Sequence, residues 1–223
     1  MRGGAILLFE MTPPAGFEAE FDAWCDNDHV PSRMRAPGFV SAQRYRAHGG
    51  AACLTVYDLT SAAALDTPEY RAIKAAPGDT SRWTLQNASG YSRYLGEEIF
   101  CQSRTPGDEA VPDLPLLYTV WFNVPADRAP EFNAWYEQEH IPILLRCPEW
   151  RMTRRFKIIE GAPERWTHVA VHYLSDLKAM ESQARRQARQ TPWRDRLAAE
   201  PWFKAKYTLF DRHGERRFAS PPA

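Results

Sequence analysis

The chain has few of the features that most readily reveal a function. Its four cysteines (Cys25, Cys53, Cys101 and Cys147) show no CxxC spacing and no metal-ligand pattern, so neither a disulfide framework nor a structural zinc site is supported. Neither charge is in excess: 28 Lys+Arg balance 28 Asp+Glu. That removes the electrostatic reason to expect nucleic acid or an anionic membrane as partner. No apolar run approaches the roughly 20 residues of a membrane-spanning helix. The apolar stretch in "MRGGAILLFEM" is too short for a signal peptide and reads as a first strand. No P-loop, no GxGxxG after a strand, no GxSxG and no HExxH occurs, which leaves nucleotide-binding, serine-hydrolase and zinc-protease readings without a motif. A cytoplasmic protein with reduced thiols is the expectation.

What the chain does have is a sentence written twice. "AWCDNDHVPSRMRAPGFVSAQRYR" (23–46) is matched by "AWYEQEHIPILLRCPEWRMTRRFK" (134–157). Trp24 pairs with Trp135, His29 with His140, Pro31 with Pro142, Phe39 with Trp150 and Arg44 with Arg155, all at an offset of 111. Farther on, "LTVYDL" (54–59) matches "VAVHYL" (169–174) at an offset of 115, so the second copy has about four extra residues in the preceding hairpin. A period this long implies tandem domains rather than a solenoid.

Each copy has a readable order. A short apolar strand (5–11; 116–124) precedes a helix (about 17–29; about 129–140) whose apolar residues Phe21, Trp24, Cys25 and Phe132, Trp135, Tyr136 recur at i, i+3, i+4. His-X-Pro is expected to end that helix, because the residue before proline is pushed out of the helical region. Two strands, a second helix and a last strand follow. The order β-α-β-β-α-β, twice, is that of a tandem duplicated ferredoxin-like α+β unit. The expected domains are 1–103 and 116–213, with a Pro-rich linker at 104–115 and a tail at 214–223. A single unit leaves one sheet face bare, and two can bury those faces against each other in a barrel-like pairing. A further homodimer of such chains stays open.

The pattern F-x-x-W-x-x-x-x-H-x-P followed by P-G-F-x-x-x-x-R-Y resembles the dimeric α/β-barrel superfamily, most nearly its EthD-like members. In the second copy PGF becomes PEW (148–150) and the tyrosine becomes Phe156. The resemblance implies the fold together with an aromatic-lined cavity between sheet and helices. It implies function loosely, since the superfamily spans cofactor-free monooxygenases, isomerases, cyclases, decarboxylases and haem enzymes.

The candidate chemistry starts with His29 and His140, each after an acid, Asp28 or Glu139. An imidazole facing the cavity mouth would serve as general acid/base, its pKa raised by the neighbouring carboxylate. A histidine in the last helical turn is equally placed to bond orphan carbonyls. Arg44 and Arg155 would hold a substrate oxyanion if they face the cavity, or a helix acid if they do not. Tyr57 and His172 are equivalent in position and different in chemistry, and with Trp121 they are candidate substrate contacts. His168, four residues before His172, shares its face, and either would serve as an axial ligand if the chain bound haem.

The expected function is a cofactor-independent enzyme acting on a small hydrophobic aromatic or polyketide-like carbonyl compound. The chemistry would be proton transfer of the isomerase, cyclase, decarboxylase or dehydratase type, a lyase or isomerase in class. The alternatives are a haem-dependent enzyme of the same fold and a non-enzymatic protein that binds a hydrophobic ligand.

Overall fold

In the computed structural model, which describes residues 2–107 and 110–219, eight antiparallel strands close into a barrel in the order β1-β3-β2-β8-β5-β7-β6-β4. They are β1 (Ala5–Thr12), β2 (Phe39–Ala47), β3 (Cys53–Leu59), β4 (Ser89–Ser103), β5 (Leu116–Phe122), β6 (Trp150–Ala162), β7 (His168–Leu174) and β8 (Ala205–Phe218). Within each half the spatial order is the same, 4-1-3-2 and 8-5-7-6, and β2–β8 and β4–β6 join the halves. β1 meets β3 with Leu7 opposite Tyr57, and β5 meets β7 with Tyr118 opposite His172. Tyr57 and His172 therefore occupy equivalent places.

Side-chain alternation divides each strand between two layers. One face fills the barrel with Ile6, Leu8, Tyr45, Trp121, Phe156, Tyr173 and Phe210. Val111, from the segment read as a linker, packs onto the same cluster. Among these apolar side chains lies a buried ionic cluster. Arg154 and Asp58 pair with both side chains 0% exposed, and Arg154 Nε also donates to Glu98 at 2.6 Å. The other face packs against the helices, through Leu7, Tyr57 and Phe39 in the first half and Tyr118, Phe122 and Trp150 in the second.

The first helix corrects one expectation. Helix α1 (Glu18–Trp24) does not stop at His-X-Pro. It passes through a π turn (Cys25–His29) into α2 (Val30–Met34), and the second half repeats this with α5 (Ala129–Trp135), a π turn (Tyr136–His140) and α6 (Ile141–Leu144). In the π turn the Val30 N–H reaches back to the Cys25 carbonyl. The widened turn accommodates Pro31, which has no N–H to offer, so the chain stays helical where proline alone would end it. Pro37-Gly38-Phe39 then turns into β2: Gly38 has φ +86, and a Cβ there would lie 2.6 Å from the Ala64 Cβ, so only glycine fits.

Two boundaries also move. Residues 79–87, which carry no apolar stripe, form helix α4 (Asp79–Asn87) after α3 (Pro68–Ala75). In the second half α7 (Gln183–Ala188) and α8 (Pro192–Ala198) take the corresponding place. Residues 214–218, expected in the tail, continue β8 and pair with β2; residues 220–223 lie outside the described set. No helix among the described residues is long and apolar enough to cross a membrane.

Candidate functional site

Each half has an aromatic-lined cavity between sheet and helices, and the two are unequal. The first half's holds about 250 Å³ and the second half's about 40 Å³, room for only a few waters. The residues explain the difference. Where the first half has Leu7, Cys25 and Phe39, the second has Tyr118, Tyr136 and Trp150, all three lining the smaller cavity. Added aromatic bulk fills the space.

His29 and Tyr57 form part of the wall of the larger cavity, with Phe9, Trp24, Tyr70 and Tyr91. His29 is 2% exposed and sits at depth rather than at the mouth, its ring centroid 4.3 Å from Trp24 and 4.9 Å from Phe9. Its Nε2 is buried with no hydrogen-bond partner among the described residues, and so is the Tyr57 hydroxyl. Two orphaned polar atoms bordering one cavity are unusual, because buried polar groups are normally paired. Burial drives the His29 pKa well below the ordinary 6.5, and the charges of Arg33 and Arg44 push the same way. The expected upward shift from Asp28 is therefore overturned. The imidazole is neutral at pH 7, a proton acceptor rather than a donor. Burial likewise raises the Tyr57 pKa, so the phenol keeps its proton.

Asp28 does not bond His29. Its Oδ2 accepts from Ser81 Oγ at 2.9 Å, and Ser81 accepts from Trp24 Nε1 at 2.9 Å. The carboxylate thus ties the π turn to α4 over the cavity mouth. Glu139 does the equivalent work, accepting from Thr191 at the start of α8.

In the second half the counterparts of His29 and Tyr57 are bonded, whereas Trp135 Nε1, the counterpart of the bonded Trp24 Nε1, is buried with no partner among the described residues. His140 Nδ1 bonds the Ala188 carbonyl at 3.1 Å, and burial lowers its pKa to about 3. His172 Nδ1 takes the Trp150 indole N–H at 3.1 Å and bonds Thr153 Oγ1 at 2.8 Å. These two histidines pack the core.

The arginines do not reach the cavity chemistry. Arg44 pairs with Asp22 and Asp26, and Arg155 donates to Glu137 at 2.8 Å and Asn133 at 2.6 Å. Strand alternation puts both on the helix-facing side, but acids of α1 and the π turns, with Asn133 of α5, engage their guanidiniums first. Trp121, expected to touch substrate, is on the barrel-interior face, its indole donating to Thr119 Oγ1 at 3.2 Å.

The residues proposed for haem do not suit it. A 40 Å³ space beside His172 is far too small for a porphyrin. His168 is 7% exposed and lines neither cavity. Among the described residues no three His, Cys, Asp or Glu side chains gather as a metal site would need.

The sequence reading missed Arg33, Lys74, Arg93 and Ser32, which also line the larger cavity. The available signal was a difference between the copies: Ser32-Arg33 stands where the second copy has Ile143-Leu144.

No family model matches the sequence, and no curated protein does. Solved structures do match. An anthrone oxidase-like protein superimposes at TM-score 0.71 with 13% identity, over 97% of this chain and 94% of that one. A candidate monooxygenase from Fusobacterium nucleatum gives 0.60 at 8% identity, over 95% and 94%. A chlorite dismutase mutant from Candidatus Nitrospira defluvii gives 0.57 at 8% identity, over 95% and 92%. At such identities the likeness is one of fold alone, an α+β fold with an eight-stranded antiparallel barrel.

Proposed function

We propose that the first-half cavity is the active site of a cofactor-independent enzyme that removes a proton next to a carbonyl of a small planar aromatic or polyketide-like compound. One observation carries this reading: His29 and Tyr57, both almost fully buried, border a 250 Å³ aromatic cavity with their polar atoms unpartnered. Neutral His29 takes the proton, and the protonated Tyr57 phenol donates to the oxygen on which negative charge develops. Phe9, Trp24 and Tyr91 hold a planar frame by stacking. The proton, returned to another carbon, gives an isomerase; attack of the enolate carbon on a second carbonyl, whose oxygen takes the proton, gives a cyclase; loss of a leaving group gives a lyase. The name of the anthrone oxidase-like protein, with its polycyclic aromatic ketone, agrees with this substrate class.

The second-half cavity, narrowed by aromatic side chains, is assigned a packing role. The common strand order and the aligned π turns support descent of the two halves from one duplicated EthD-like unit, with the domain limits given above.

The test is solvent deuterium exchange into a panel of neutral planar aromatic ketones with acidic α-hydrogens. Wild type is expected to accelerate exchange of at least one, and His29→Ala to cost about 10²–10⁴ of that rate. Exchange at the wild-type rate in His29→Ala overturns the reading.

A further inference from the structure

We infer that the substrate of this cavity carries a fixed negative charge, a carboxylate on its aromatic frame, and that Arg33 is the residue that receives it. The inference rests on the first-half cavity being the site, and adds what that site selects.

Arg33 lines the cavity and is half-buried. Its Nη1 donates to the His29 carbonyl at 2.9 Å and to Ser32 Oγ at 3.3 Å. Among the described residues no carboxylate pairs with it. That sets it apart from Arg44, Arg46, Arg93, Arg154 and Arg155, each held by an acid. The back-bond fixes the guanidinium beside the buried imidazole and leaves the remaining N–H donors unassigned. A guanidinium so held matches the two oxygens of a carboxylate.

The surroundings point the same way. Lys74 and Arg93 add two more cations to the lining, and Lys74 has no acid partner among the described residues. The lining's one carboxylate, Asp28, is occupied by Ser81. With Asp28 in the lining and Glu160 on Arg93 set against the three cations, the otherwise aromatic and apolar walls keep positive charge in excess, which favours an anion.

The fold does not need this arginine. At the same turn of the second half Leu144 is 2% exposed and the π turn still continues into a helix, Ile141–Leu144. At this helix position arginine appears only in the half that keeps its cavity; the arginines at the smaller cavity, Arg185, Arg189 and Arg194, come from other segments. A bound carboxylate would also cancel much of the Arg33 charge, one of the influences that hold His29 neutral, and so make the imidazole a stronger base in the complex than in the free protein.

The experiment is calorimetric titration of the full chain, at pH 7.5, with matched naphthalene-type carboxylic acids and their primary amides. Wild type is expected to bind the acid at least tenfold more tightly than the amide. Arg33→Leu, which copies the second half, is expected to bring that ratio below threefold while far-UV circular dichroism and melting stay as in wild type; Arg33→Lys keeps part of it. Equal binding of acid and amide by wild type, or an undiminished preference in Arg33→Leu, overturns the inference. The outcomes separate from those of the exchange assay. If neutral ketones exchange through His29 and acids gain nothing, only the charge assignment falls. If acids bind through Arg33 and exchange ignores His29, only the base falls. If no compound binds, both fall.

Discussion

Tyr57→Phe should make the protein more stable and less active at once. Tyr57 is 0% exposed and its hydroxyl has no partner among the described residues. A buried hydroxyl left unpaired costs about 1–3 kcal/mol, and deleting it loses only a few tenths in dispersion contacts of one atom, on the order of 0.1–0.2 kcal/mol each. The net gain is about 1–2 kcal/mol. For a chain of this length, roughly 2–4 °C of melting temperature accompanies each kcal/mol, so scanning calorimetry should register a rise of about 2–8 °C. The same variant removes a donor to the developing oxyanion, which typically costs about 10²–10³ in turnover, read by the exchange assay. The counterpart position supplies the control. His172 is bonded to Trp150 and Thr153, so His172→Phe should lower stability by about 1–3 kcal/mol by leaving them a partner short. If Tyr57→Phe destabilises by more than about 1 kcal/mol, the hydroxyl has a partner and the account of the cavity wall is wrong.

Acid should weaken the fold from about pH 6.5 downward. His29 and His172 are held neutral when folded, their pKa values depressed chiefly by burial, while unfolding frees both to protonate near pH 6.5. The unfolded chain then binds more protons than the native one, and each such histidine adds a slope of about 1.4 kcal/mol per pH unit. His140 and His168, lowered by burial to about 3 and about 4, act in the same direction. Melting temperatures should be level between pH 7.5 and 7 and fall between 6 and 5; a constant value down to pH 5 would refute this. Arg154→Met should cost about 3–5 kcal/mol, because it takes the nearer cation from Asp58, 0% exposed inside the barrel, and leaves it only Ser41 and the more distant Arg216 at 3.7 Å; urea denaturation of Arg154→Met/Asp58→Leu should recover much of the loss, and a double variant no better than the single would count against it. Titration with hemin should give no saturable Soret band through His172, since about 40 Å³ is available there; a band saturating at one equivalent and abolished by His172→Ala would contradict the filled cavity.

The fold was legible because the repeated sentence spells out what this barrel needs. Trp24 and Trp135 are buried at 3% and 2% under their helices, and Gly38 meets a backbone demand no other residue meets. The register across the halves could be read from the offset of 115, since Tyr57 and His172 stand opposite Leu7 and Tyr118. The helix end was misread because proline stops an α-helix but fits a π turn. Helix α4 was missed because "DTSRWTLQN" has no apolar stripe, and its Trp83 and Leu85 remain exposed. Arg155 was singled out because it aligns with Arg44, while its neighbour Arg154 has nothing in the sequence to show that its face of β6 closes onto Asp58 from the other half.

The site illustrates a different limit. Shared residues drew the eye to the histidines, yet the distinction between the halves lies where they disagree. Leu7, Cys25, Phe39, Arg33 and Tyr57 face Tyr118, Tyr136, Trp150, Leu144 and His172. On the second side each change adds bulk, removes charge or pairs a polar atom, as expected where packing alone is selected. The first side retains a void and two orphaned polar atoms; the second leaves Trp135 Nε1 unpaired but shows that this backbone accepts a nearly filled cavity with the counterparts of His29 and Tyr57 bonded. Each orphan costs about 1–3 kcal/mol, a large fraction of a stability of about 5–15 kcal/mol. Such a cost persists where strain and openness serve a task. A half that could have been repaired by residues already used in its neighbour, and was not, is the half in which chemistry should be sought.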